Sequence, residues 1–132
     1  MICLEMIGYF SKKKNSQQYP LPIFKLFYPD KGNFIGVVGK LGQRKITEKI
    51  KKLLEKSSNI PVYSANLPSI IPGVDLSDHR NFWHFGFNAV MITDTAFYRN
   101  PNYHRRTDTP NTLDFKRMSQ VVNGIVNVCL NY

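Results

Sequence analysis

The 132-residue sequence predicts an α/β domain. Short apolar runs of strand length alternate with two amphipathic helical stretches, no internal repeat marks a solenoid, and punctuating Pro and Gly residues separate the runs. In order, residues 2–10 are apolar apart from Glu5 and read as a buried strand. Residues 11–22, with Lys12, Lys13, Lys14, Pro20 and Pro22, read as a polar connection, and residues 33–39 as a second strand. Over residues 43–57, Ile46, Ile50, Leu53 and Leu54 recur at i, i+4, i+7 and i+8, the spacing of one helix face. The other face carries Arg44, Lys45, Lys49, Lys51, Lys52 and Lys56, and reads as a solvated surface. A short strand over 61–65 and an irregular, Pro-rich segment over 66–76 follow. Residues 77–85 then read as a short helical or looped element, and 88–93 as another buried strand. Residues 94–110 are too polar and turn-rich for a core and predict a long loop at a strand end, where sites commonly lie. In the last helix Thr112 is the expected cap, with Asp114 in the first turn. Phe115, Met118, Val121, Val122, Ile125, Val128 and Cys129 make its apolar face, which should pack on the sheet.

Composition narrows the function classes. A chain of this length is one domain by default, and 42% hydrophobic residues are ample for a core. No apolar run approaches the roughly 20 residues of a membrane span. The first residues lack the basic start, apolar stretch and small-residue cleavage site of an export signal, so none is expected of the chain as it stands. Cys3 and Cys129 lie outside any CxxC or Cys/His cluster and read as small buried hydrophobes. Eighteen Lys and Arg against nine Asp and Glu give a charge of +9. Lys12 to Lys14 and the basic helix could hold a polyanion, but no aromatic-interleaved basic motif accompanies them, and nucleic acid is not the expected partner.

The residues with chemical potential are few. A carboxylate inside an apolar strand needs a cationic partner, hydrogen bonds or a metal, and Glu5 leaves all three open. Asp78-His79 follow a Pro/Gly-rich segment, and Tyr103-His104 precede Asp108 in the long loop. None of these forms a closed metal-ligand motif by spacing.

Their order along the chain is more specific. Leu4-Glu5-Met6-Ile7-Gly8-Tyr9, Ser77-Asp78-His79 with Phe82 and Gly86, the run Ala89 to Phe97, Asn100-Pro-Asn-Tyr-His-Arg-Arg-Thr-Asp-Thr and Thr112-Leu-Asp-Phe resemble the C-terminal part of the zinc aminopeptidase family, and more distantly the glutaminyl cyclases. The resemblance runs from about residue 2 to about residue 127. It implies part of a three-layer sandwich with a mostly parallel or mixed central sheet, lacking the N-terminal half, and a site for one or two zinc ions. Glu5 stands where the family places a carboxylate ligand, usually Asp, and His104 where it places the last imidazole ligand. Tyr103 matches a tyrosine that donates to the oxyanion, while Asp78 and Asp108 match acids that orient ligands or loops. The family's His-x-Asp segment, its bridging Asp and its Glu-Glu pair, which includes the general base, have no counterpart here. The chain alone is therefore not expected to hydrolyse peptides efficiently. The resemblance implies a peptide substrate once a missing half, a partner chain or a second copy covers the exposed sheet edge. A catalytically dead interaction module and a cyclase-type acyltransferase are the alternatives it leaves.

Overall fold

The computed structural model describes residues 1–132. Its four strands, β1 (Ile2–Glu5), β2 (Ile35–Lys40), β3 (Val62–Leu67) and β4 (Val90–Thr93), form one mixed sheet in the order β1-β4-β2-β3. β1 runs parallel to β4 and β2 parallel to β3, while β2 and β4 are antiparallel. The helices are α1 (Arg44–Lys56), α2 (His79–His84) and α3 (Phe115–Asn131). The α/β class expected from the alternation is the class observed. No helix is long and apolar enough to cross a membrane.

Strand alternation sorts the side chains into two layers. Ile35, Val37, Val62, Val90 and Ile92 face α1 and α3, where Ile50, Leu53, Leu54, Val121 and Val128 close the main core. The helices approach closely because residue 124 is glycine: a Cβ there would lie 3.0 Å from Leu54 Cδ2 and 3.3 Å from the Leu54 carbonyl oxygen. The opposite face of the sheet has no long helix. Val74, Trp83 and Ala89 make a small cluster there, with Val38, Leu67 and Ile71 against it. The outer face of α1 is solvated, as its charges suggest, and its Arg44–Glu48 and Lys51–Glu55 pairs are exposed and contribute little.

Three local expectations are corrected, and one left open is settled. The first strand ends at Glu5 and not at residue 10, because Met6 takes φ +53° and turns the chain; Ile7 and Phe10 still pack on the core, but from a loop. Thr112 does not cap α3: it sits in a 3-10 turn, and Asp114 caps the helix by accepting from the Arg117 amide at 3.0 Å. Cys129 is exposed, unlike the buried Cys3, and Phe115 and Val122 lie beyond the covered face of α3. Glu5 pairs with no lysine or arginine; its Oε2 accepts from the Ser77 hydroxyl at 2.8 Å.

An aromatic wall rises over the open face of the sheet. Tyr19 donates to the Pro29 carbonyl at 2.7 Å and Tyr28 to the Ser64 carbonyl at 3.0 Å. Burial pushes the phenols of Tyr19, Tyr28 and Tyr98 above their usual value. An acid whose pKa is raised by folding contributes stability that is present below the unfolded value, near pH 10 for tyrosine, and is lost as the pH rises past it. The melting temperature is accordingly expected to fall above about pH 10, and less steeply in Tyr28→Phe. Thermal melts followed by circular dichroism across that range check this, and parallel curves for the two proteins would refute it.

Candidate functional site

The carboxyl ends of β1 and β4 lie side by side, Glu5 being the register partner of Thr93. In open α/β sheets, this is the end at which ligands usually sit. Directly after each strand the backbone enters left-handed conformations, with Met6 at φ 53°, Thr95 at 76° and Ala96 at 45°. Strain of this kind persists only where surrounding structure enforces it.

Asp94 is the enforcing group. It has no solvent exposure, and its Oδ2 accepts from the Tyr9 amide at 2.7 Å while Oδ1 accepts from the Ala96 amide at 3.0 Å. Its own amide donates to the Met6 carbonyl at 2.6 Å. One residue thus clasps the chain after β1 to the chain after β4. Burial pushes its carboxyl above the usual range, opposed by the Tyr9 and Ala96 amides and by the positive charge of Arg99.

Arg99 is the second buried charge. Nε donates to Gln17 Oε1 at 2.8 Å, and Nη1 donates to the Phe34 carbonyl at 2.8 Å and the Tyr9 carbonyl at 3.3 Å. The guanidinium lies 4.4 Å from the Phe34 ring centre, a cation–π arrangement. Burial brings its pKa down to about 10, with Asp94 opposing the fall. Its stem fits because residue 32 is glycine, where a Cβ would come within 2.7 Å of Arg99 Cδ. Neither Asp94 nor Arg99 stood out as a site residue in the sequence. The signal was available for Asp94, a charge placed directly after a buried apolar strand.

Beyond Arg99 the loop folds back over the strand ends. Tyr103 and His104 stack face to face, with ring centres 3.9 Å apart and an interplanar angle of 16°, and Phe97 packs 5.7 Å from Tyr103. His104 itself takes φ +56°. Asp108 is exposed and lies 3.4 Å from Asn100 Nδ2, which closes the loop on its own first turn. Asp78 is exposed at the start of α2, and its side chain makes no capping bond.

Glu5 and Tyr103 line the same cavity, about 130 Å³ in volume, which is walled by Tyr19, Tyr28, Tyr63 and Phe97. Five candidate residues were expected at the site; the structure thus brings together Glu5 and Tyr103, with His104 stacked behind Tyr103. Glu5 uses one carboxylate oxygen for Ser77, leaving Oε1 without a partner, and the His104 ring makes no hydrogen bond. A carboxylate oxygen and an imidazole nitrogen are both suitable zinc donors. Yet no three His, Cys, Asp or Glu side chains of the chain are close enough to share an ion. The donor types suit zinc, and the chain by itself brings no full set of them together.

No protein-family model matches the chain. The uncharacterized protein YfbL of Escherichia coli is 47% identical over 131 residues, which are 99% of this chain and 41% of that protein. A probable leucine aminopeptidase of Arthroderma benhamiae is 31% identical over 84 residues, 63% of this chain and 22% of that protein. Among solved structures, the LapA aminopeptidase of Legionella pneumophila superposes with a TM-score of 0.65 at 18% identity, covering 98% of this chain and 29% of LapA. LapB of the same organism superposes with a TM-score of 0.57 at 22% identity, covering 88% of this chain and 30% of LapB. The four-stranded mixed sheet and its helices therefore match part of the LapA and LapB fold. The chain spans about two fifths of the length of the Escherichia coli relative and less of the others.

Proposed function

We propose that this chain supplies one side of the catalytic site of an aminopeptidase-like hydrolase, with Glu5 and His104 as zinc donors and Tyr103 as a hydrogen-bond donor to the oxyanion. The observation that carries this reading is the meeting of Glu5 and Tyr103, 98 residues apart in sequence, at one cavity, with His104 stacked on Tyr103. The aminopeptidase likeness of the longer relatives supports the same chemistry.

The chain's own groups have distinct tasks in this reading. Ser77 fixes the Glu5 carboxylate through Oε2 and leaves Oε1 to bind. The stack against His104 and the contact with Phe97 hold the Tyr103 ring, so its hydroxyl is placed before charge develops on the substrate carbonyl. The aromatic walls suit an apolar side chain at the end of a peptide, and exclude water around it. Zinc held at such a site would polarise the carbonyl and activate a water. The general base and the remaining donors come from polypeptide beyond these 132 residues.

The test is to co-express the chain with the part of the Escherichia coli relative outside the matched region, and to measure zinc by elemental analysis and the release of leucine from a leucyl amide. Zinc is expected in the wild-type assembly, with at least a tenfold loss of affinity in His104→Ala and in Glu5→Ala, as removal of an ion's donor dictates. An assembly whose zinc content is the same with and without His104 would sink the assignment.

A further inference from the structure

The connection between β1 and β2 is a loop tied at its base. The Ser11 amide donates to the Gly32 carbonyl at 2.7 Å, the Gln17 amide donates to the Asp30 carbonyl at 3.0 Å, and the Ser16 hydroxyl accepts from the Gly32 amide at 2.9 Å. Beyond these ties the chain turns through one short 3-10 helix, Pro22–Leu26. Side chains on the turn divide by their spacing. Phe24 and Tyr28 point inward and meet Tyr19 and each other, with ring centres 5.9–6.4 Å apart, and Tyr28 also packs edge-on against Tyr63 of β3. Ile23, Leu26 and Phe27 point outward and are 54%, 77% and 70% exposed, with Leu21 beside them at 41%. The inner rings are pinned by the hydroxyl bonds of Tyr19 and Tyr28, so the outer residues have no room to turn inward.

The charge around this apolar tip is of one sign. Residues 11–32 carry five exposed lysines, Lys12, Lys13, Lys14, Lys25 and Lys31, against the single acid Asp30. Lys25 stands within the turn itself, and the other four stand at the tied base. A patch of exposed apolar side chains marks a contact with another protein or with a membrane. Lysine is depleted at protein interfaces, whose apolar core is ringed by mixed polar groups. A lipid surface asks for the opposite. Apolar side chains enter roughly 5–10 Å, to the boundary of headgroups and acyl chains, while lysines lay their stems along them and hold their ammonium groups at anionic headgroups.

We infer that this loop is an interfacial anchor, whose tip of Leu21, Ile23, Leu26 and Phe27 enters an anionic lipid surface while its lysines engage the headgroup phosphates. The tip needs no ordering on contact, because its inner face is already packed. The same loop lends Tyr19, Phe24 and Tyr28 to the cavity that Glu5 and Tyr103 line, so docking brings that cavity to the lipid surface. The inference goes beyond the hydrolase reading and requires no zinc, and either can fail without the other.

Co-sedimentation of the chain with vesicles of phosphatidylcholine, alone or mixed with phosphatidylglycerol, is the test. Binding to the mixed vesicles is expected to be at least tenfold tighter than to the neutral ones, and to weaken as salt screens the lysines. The double variant Leu26→Glu/Phe27→Glu, at exposed positions, should keep the circular dichroism spectrum yet weaken binding at least tenfold. Lys13→Ala/Lys14→Ala should weaken it about fivefold per lysine removed. Leu130→Glu, at a position 78% exposed on α3 across the sheet, should leave it unchanged. In Phe27→Trp the emission should move to the blue when mixed vesicles are added, since the native Trp83 is already buried and has no such change to undergo. Absence of binding to mixed vesicles, binding indifferent to the Leu26→Glu/Phe27→Glu variant, equal weakening by Leu130→Glu, or an unshifted emission would each overturn the inference. So would an oligomer that the tip variant dissolves while vesicles capture nothing, which would assign the turn to a second copy of the chain.

Discussion

Asp94→Ala is expected to lower the unfolding free energy by about 2–6 kcal/mol, a large share of the roughly 5–15 kcal/mol that a domain possesses. The substitution leaves the Tyr9 and Ala96 amides without acceptors in an interior from which water is excluded. Each such orphan costs about 1–3 kcal/mol, and the buried Arg99 loses a negative charge that opposes its own desolvation. Asp94→Asn restores one acceptor but turns an NH₂ toward an amide, so it should recover only part of the loss. Urea denaturation of the three proteins checks the order. A variant with wild-type stability would mean that the left-handed turn after β4 holds without its clasp.

Tyr103→Phe makes the complementary case, a large chemical effect with almost no structural one. The ring keeps its stack on His104 and its contact with Phe97, and the hydroxyl has no hydrogen bond within the chain to lose. On the proposed reading, in which Tyr103 donates to the oxyanion, loss of that donor is expected to reduce kcat about 10²–10³-fold, with KM and melting temperature nearly unchanged. Steady-state kinetics on a leucyl amide gives the split. An effect confined to KM would instead assign Tyr103 to holding the substrate before reaction.

Much of this was readable in the residues because it is local. The i, i+4, i+7 spacing of Ile46, Ile50 and Leu53 fixes which side of α1 is buried, whatever it packs on. The end of β1 was not readable in that way: Ile7 and Phe10 are as apolar as the strand itself, and the turn at Met6 is imposed by the amide of Asp94, 88 residues away. The capping of α3 was ambiguous between Thr112 and Asp114 because both residue types serve, and only the path of the chain across Gly8 selects the second. Glu5 announces a partner by its setting, but a neutral hydroxyl 72 residues on is a contact that no pattern within the strand encodes. The apolar stretch of α3 predicted burial correctly for Val121 and Val128 and wrongly for Val122 and Cys129. A wide apolar arc marks the residues a helix could bury, and the packing of α1 and the sheet decides which of them it does.

The pairing of β1 with β4 sets a schedule for synthesis. Ile2 is joined to Val90, the residue opposite it, only after 88 further residues have been made. At about 5–20 residues per second, a nascent β1 waits roughly 4–18 s for its neighbour. β2, α1 and β3 are contiguous in sequence and can assemble during that interval, since closing short loops costs less entropy than closing long ones. Of the four strands, the one that carries Glu5 is thus made first and placed among the last, so the corner of the fold that holds the candidate site is completed after the scaffold that supports it.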